Sequence, residues 1–296
     1  MVQRFFLLII FFCLITNFSL SKKSIVVTGY NIKLIVQEIT GDSIDVTNLI
    51  APNVSLHTFS PKPSEVKKLK SADFLIYLSD EVDFWVKKFR SDNILELISL
   101  VPKEYLMFFD EKKGHILSKS FEKGDGDIDP HFWLNPVIVS KIVPMLLERI
   151  VKLDPKNSGY YKANASKFID KLKELDKKVI SKLSKFKGES VILFHPSFRY
   201  FLKQYNLNYI GSIEESPGKE PSPKMLIDIV KRIRENNVKA IFIEPQLSDK
   251  AAKSIAREAK IKVLTLDPIG NYSQRNSYEK LLMYNVNTFV EAFERK

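Results

Sequence analysis

The sequence predicts an α/β protein made of two parallel-sheet lobes joined by a long rigid helix, with a ligand crevice between the lobes. Three observations carry this. Short apolar, β-branched runs alternate with helix-like segments, the pattern of parallel strands wound by crossover helices. One helical segment near the middle is much longer than a single lobe needs. The polar residues best suited to binding gather just after the strands, where open α/β sheets form their crevice. A length of 296 residues allows two domains, each with its own core.

The strands expected, in order, are 25–28 (IVVT), 44–50 (IDVTNLI), 74–78 (FLIYL), 191–194 (VILF), 209–213 (YIGSI), 240–243 (AIFI) and 263–266 (VLTL), with 106–109 as a further candidate. Helical spacing is read over 32–40, 64–71, 82–98, 136–150, 223–235, 248–259 and 277–294.

The long segment begins at Asp154-Pro155, an N-cap followed by proline at the first helical position. Apolar residues then fall at Tyr161, Ala165, Phe168, Leu172, Leu175, Val179, Leu183 and Phe186, always three or four apart. Gly188 supplies the stop. At ~1.5 Å per residue such a helix is roughly 45–50 Å long. It reads as a strut over 151–188 between an N-terminal lobe, 22–150, and a C-terminal lobe, 189–296. A coiled-coil dimer helix is the alternative, but the heptads do not continue and both flanks are globular. No internal repeat is visible in the sequence.

Residues 1–21 read as an export signal: Arg4, an apolar run over 5–15 (FFLLIIFFCLI), then Ser19 and Ser21 before cleavage ahead of Lys22. A retained anchor is the alternative. The one cysteine, Cys13, lies inside this run behind Phe11 and Phe12, which is not a lipidation site. The mature chain therefore has no disulfide and no thiolate, and any metal must be held by His, Asp or Glu. No second apolar run approaches the first, which excludes a polytopic membrane protein. The net charge of +11 comes from scattered lysines without arginine forks or aromatic platforms, so nucleic acid is not expected as a partner.

Only four histidines are present. His57 lies in a proline-rich loop (APNVSLHTFSPKPS) just after a strand. His131 lies in DPHFWLNP, immediately before a helix. His195 follows VILF directly, in FHPS. His115, in KGHI, has no such setting and reads as a surface residue. Two carboxylates also follow strands: Glu244 after AIFI and Asp267 after VLTL. Proline comes directly after His195, Glu244 and Asp267, and holds the preceding backbone extended. Three imidazoles and one carboxylate make a tetrahedral set for Zn²⁺, and N/O donors also admit Mn²⁺ or Fe²⁺. Each residue has a plainer reading. A loop histidine is usually on the surface or a cap, and Glu244 and Asp267 could cap turns. Trp133 could pack beside the site or fill the core, and Asp80, Glu81 and Asp83 are accounted for by a helix dipole. Binding should displace protons, so affinity is expected to fall as pH drops through about 6.5.

HTFSPKPSEVKKLKSADFLIYLS, DPHFWLNP, FHPSFRYFLKQYNL, the stretch ending in AIFIEPQLS, and VLTLDPIG together resemble, in order, the motifs of metal-ion solute-binding proteins of ABC importers. That family contains periplasmic zinc- and manganese-binding proteins and related surface lipoproteins. The resemblance implies two α/β lobes joined by a long helix and no enzymatic activity. It also implies metal ligands at His57, His131, His195 and Asp267, and an inner-membrane ABC permease as partner. Histidine at the position of His195 tilts the cation toward zinc, and Glu244 matches a family glutamate that orients a ligand or loop. The expected protein is a periplasmic monomer that captures zinc and delivers it. A manganese or iron carrier, a zinc hydrolase with Glu244 as base, a surface adhesin and a siderophore binder are the alternatives. Departures from the pattern are a stretch from Asp110 to Asp127 whose one histidine is His115, with Asp125 and Asp127 near its end, and Asn135 in place of the usual aspartate.

Overall fold

The computed structural model describes residues 22–89, 93–109, 127–214 and 221–294. The expected signal segment, Cys13, His115 and Asp125 lie outside them. Among the described residues no helix is long and apolar enough to cross a membrane.

The first sheet contains β1 (Ser24–Val27), β2 (Asp45–Asn48), β3 (Phe74–Tyr77) and β4 (Ile94–Glu96), all parallel, in the order β2-β1-β3-β4. Helix α1 (Tyr30–Thr40) links β1 to β2, and α2 (Pro63–Ser71) precedes β3. The second sheet contains β5 (Ser190–Leu193), β6 (Asn208–Ser212), β7 (Ala240–Ile243) and β8 (Lys262–Thr265), again all parallel. Its order is β6-β5-β7-β8. In each sheet the second strand in sequence lies outside the first and the third lies on its other side. The two lobes thus share a topology that leaves no trace as sequence repetition.

Between the sheets run α3 (Pro136–Leu153) and α4 (Ser158–Leu183). The second lobe adds α5 (Arg199–Gln204), α6 (Pro223–Glu235), α7 (Lys250–Ala259) and α8 (Tyr278–Phe293). The predicted stripe is the buried face of α4: Tyr161, Ala165, Phe168, Leu172, Leu175, Val179 and Leu183 are all buried. The α-helix itself is 26 residues, roughly 40 Å at ~1.5 Å per residue. The predicted ends are tighter 3-10 turns, Pro155–Asn157 and Ser184–Phe186, and Gly188 follows at φ +82°. Asp154 does not cap α4. Its Oδ2 accepts hydrogen bonds from Tyr161 Oη (2.6 Å) and Asn157 Nδ2 (2.7 Å). Helix α4 packs on α1 and α3 from the first lobe and on α8 from the second. One continuous apolar core accordingly runs from Val27 and Ile142 through Phe168 and Leu172 to Val191 and Phe289. Separate clusters cover the far faces, around Trp85 in the first lobe and Ile229 and Ile255 in the second.

The helix expected over 82–98 does not form. A 3-10 turn, Phe84–Lys88, is followed by β4 and a second 3-10 turn, Leu97–Leu100. Ile94 and Leu95 pair with β3 instead of continuing the helical spacing of Val82, Trp85, Val86 and Phe89. Asp83 begins no α-helix. Its buried carboxylate pins the turn by accepting from Thr28 Oγ1 (3.0 Å) and Leu78 N (2.8 Å). The candidate strand at 106–109 reduces to one antiparallel bridge, Phe108 to Ile128.

Candidate metal centre

Three loops carry the histidines to one point. His57 sits in a 3-10 turn, Leu56–Thr58, beyond the end of β2, anchored by buried Leu56. His131 sits at the start of the 3-10 turn Phe132–Leu134, which leads into α3. Asn135 caps α3: its Oδ1 accepts from Val137 N (2.9 Å) and Ile138 N (3.3 Å). The amide serves as well as an aspartate would for this purpose. His195 lies two residues beyond β5, at the start of the 3-10 turn Pro196–Phe198, and Ser197 N donates back to its carbonyl at 2.8 Å.

Among the described residues one group of side chains of the metal-binding kind converges: His57, His131 and His195, with donor atoms within 4.8 Å of one another. Nε2 of His131 lies 3.3 Å from Nε2 of His57 and 3.3 Å from Nε2 of His195. Nitrogen ligands about 2.0–2.1 Å from a tetrahedral zinc ion are themselves about 3.3 Å apart. The cavity they line with Trp133, Glu244 and Gln246 is about 20 Å³. That is room for about one water-sized sphere, and far too little for a siderophore.

The ring orientation of His131 is set from behind. Its Nδ1 lies 2.8 Å from Asp129 Oδ1, so the proton resides there and the Nε2 lone pair faces the cluster. Asp129 Oδ2 in turn accepts from Arg199 Nη1 at 3.1 Å, and Arg199 Nη2 donates to the Phe108 carbonyl at 3.0 Å. Trp133 packs 5.2 Å from the His131 ring and donates from Nε1 to the Pro268 carbonyl at 2.7 Å. Asp129 and Arg199 do not follow a strand end and so are not among the residues picked out from the sequence. A carboxylate two residues before a candidate ligand was the available signal for the first; nothing local marks the second.

Asp267 is not in the converging group. It is 1% exposed and adjoins the cavity wall formed by Pro268 and Ile269. Its Oδ1 accepts from Ile269 N (3.0 Å) and Gly270 N (2.9 Å), and its Oδ2 pairs with Arg275 Nε at 2.5 Å. Glu244 does line the cavity, where Ser197 Oγ donates to its Oε1 at 2.5 Å and so braces the loop after His195.

Burial shapes the protonation states. Desolvation, then the neighbouring His131, pushes the His57 imidazole down to about 3. Desolvation and the other two imidazoles hold His195 well below its ordinary value. These rings stay neutral, with lone pairs available, far below the pH of 6.5 expected from the sequence, because the sequence alone does not reveal their burial. Desolvation raises Glu244 to about 8, against the Ser197 hydrogen bond and with help from Asp267 and Glu214.

Over residues 25–292 the chain matches the family profile of ZnuA, the zinc-uptake complex component A, periplasmic. The chain belongs to this family. Its members are extracytoplasmic solute-binding proteins of zinc uptake. Zinc-binding protein AdcA of Streptococcus pyogenes serotype M6 is 29% identical over 266 residues, 86% of this chain and 52% of that protein. The chain thus spans about half the length of these AdcA relatives. The high-affinity zinc uptake system protein ZnuA of Bacillus subtilis strain 168 is 30% identical over 256 residues, 86% of this chain and 80% of that one. A crystal structure of ZnuA superposes with a TM-score of 0.78 at 27% identity, covering 91% of this chain and 98% of that one. The zinc-binding protein TroA of Treponema pallidum reaches 0.80 at 19% identity over 93% and 100%, a likeness of fold.

Proposed function

We propose that the protein captures one Zn²⁺ ion in the cleft on His57, His131 and His195, takes Asp267 as the fourth ligand, and delivers the ion to an inner-membrane ABC permease. The observation that carries this is the pair of 3.3 Å Nε2 separations, the edge length of a zinc tetrahedron. Three nitrogen donors favour zinc over Mn²⁺, which does better with more oxygen, and over Fe²⁺, which binds a given N/O site more weakly than zinc does. The names of the relatives, zinc-binding AdcA and zinc-uptake ZnuA, support the same cargo.

In this scheme residues 1–21 export a periplasmic monomer, 22–150 and 189–296 are the two lobes, and 151–188 is the strut between them. His57 and His131 come from one lobe and His195 and Asp267 from the other. Occupancy therefore ties the lobes together, and α4 limits closure to a small shift.

Competition titration of the purified chain with a chelator tests the proposal. One zinc per chain, bound more tightly than Mn²⁺, is expected. The H131A variant should bind more than about a hundredfold more weakly, beyond the loss typical of a merely supporting contact. Unchanged zinc binding by H131A refutes the ligand set.

A further inference from the structure

Asp267 has two claimants. Its main chain is fixed: Asp267 N donates to Asn285 Oδ1 at 2.7 Å and Asn285 Nδ2 donates to the Asp267 carbonyl at 2.8 Å. Oδ1 is held by two backbone amides and by Gln246 Nε2 at 3.4 Å. Oδ2 is bound by Arg275. The side chains of this ion pair are 1% and 15% exposed, so the attraction is poorly screened.

The loop that delivers Arg275 is built for that contact. Asn271 Oδ1 accepts from the amides of Ser273 (3.1 Å), Gln274 (2.9 Å) and Arg275 (3.1 Å). Gly270, at φ +95°, lets the loop fold back until a Cβ there would stand 2.8 Å from the Arg275 carbonyl. The guanidinium also lies 4.4 Å from the centre of the Tyr284 ring. That aromatic face and the partial exposure give Arg275 somewhere to rest when the carboxylate leaves it. An arginine with a fallback partner suits an exchange better than a permanent ion pair.

We propose that Arg275 is a built-in competitor for the cargo: it and a cation seated on the three imidazoles vie for Oδ2 of Asp267, so this arginine sets how tightly the cation is held. Arg275 is a positioning residue that acts through Asp267. The inference rests on the ligand set proposed above. The competition acts to keep the cation releasable.

The test is a double-variant cycle in the full mature chain, with zinc affinity read by chelator competition. R275Q should tighten zinc about ten- to hundredfold, the worth of one hydrogen bond between charged groups. In the D267N background the same substitution should change affinity little. Loaded with Co²⁺ as a spectroscopic probe, R275Q should alter the visible d–d bands relative to the parent, and R275Q/D267N should match D267N. R275K, which keeps the charge but not the planar fork, should fall between parent and R275Q, and serves as the test should R275Q not fold. No tightening by R275Q or R275K overturns the proposal. Equal tightening with and without Asp267 also overturns it, because removal of a nearby positive charge would then suffice. H131A tests the ligand set separately: retained zinc binding there defeats the imidazole assignment whatever the Arg275 cycle gives.

Discussion

Arg199 and Asp129 meet at 3.1 Å across the two lobes, and the second oxygen of that aspartate holds His131 Nδ1 at 2.8 Å. The pair is buried and further tied down by Tyr200, whose hydroxyl donates to the Asp129 carbonyl and accepts from Met107 N, both at 2.9 Å. One carboxylate thus fixes the tautomer of a candidate ligand and a contact between lobes.

The first prediction follows from this geometry. D129N removes the charge that orders the His131 ring and should weaken zinc about 10- to 100-fold, as loss of such supporting partners does. R199M leaves the Asp129 carboxylate buried without its cation and should lower stability by about 3–5 kcal/mol. Zinc titration checks the first and denaturant unfolding the second. Parent-like values for both would mean the relay is ornamental.

A second prediction concerns acid. His57 titrates near 3 in the fold against an unfolded value near 6.5, and His195 shifts the same way. Between those values the unfolded chain binds more protons than the native one, so these groups make stability rise with pH in that window. Without zinc, the chain should lose stability as pH falls from about 6.5 toward 3, and H57Q should flatten that slope. Urea unfolding in the presence of a chelator at several pH values measures it.

Glu244 works in the opposite direction. Its folded value is raised to about 8, above the unfolded 4.5, so the native state holds the extra proton between them. Its contribution is whole below about 4.5 and is lost as pH rises through 8. E244Q keeps a neutral partner near Ser197 and should abolish this loss. The expected outcome is a variant at least as stable as the parent near pH 8, with the difference shrinking toward pH 5. A parent advantage at pH 8 would show that the ionised form is tolerated.

These particulars show which parts of the molecule the sequence expresses. Among the described residues seven of the eight strands fall on runs read from the sequence, and the inner ones, β1, β3, β5 and β7, are the most plainly apolar because a parallel strand covered on both faces is buried along its length. The α4 stripe is legible to the residue, since one helix face has one solution. Strand β4 is hidden because Ile94, Leu95, Leu97 and Ile98 also fit helical spacing, and only pairing with β3 separates the two. The three histidines could be picked out by their place after strands or before a helix. The state of Asp267 could not, since its partner arrives eight residues later through a fold-back at Gly270 and Asn271 that spacing does not encode. Arg199 was equally silent: a buried arginine is identified by what surrounds it, and Asp129 is 70 residues away.

The last prediction separates the scaffold from the site. Leu172 is buried at the middle of α4, in the core that joins the lobes, and makes no part of the cavity wall. Replacing it with alanine deletes packing on a helix whose neighbours, α1, α3 and α8, come from both sides of the molecule, and the surroundings of such a gap relax only in part. L172A should cost about 2–5 kcal/mol of unfolding free energy. Because α3 and β5, the elements adjoining His131 and His195, keep their own contacts, the variant should still bind one zinc per chain at low temperature. If the binding stoichiometry falls before the fold does, the strut positions the ligands directly; if both are lost together on heating, its role is to hold the two lobes as one cooperative unit.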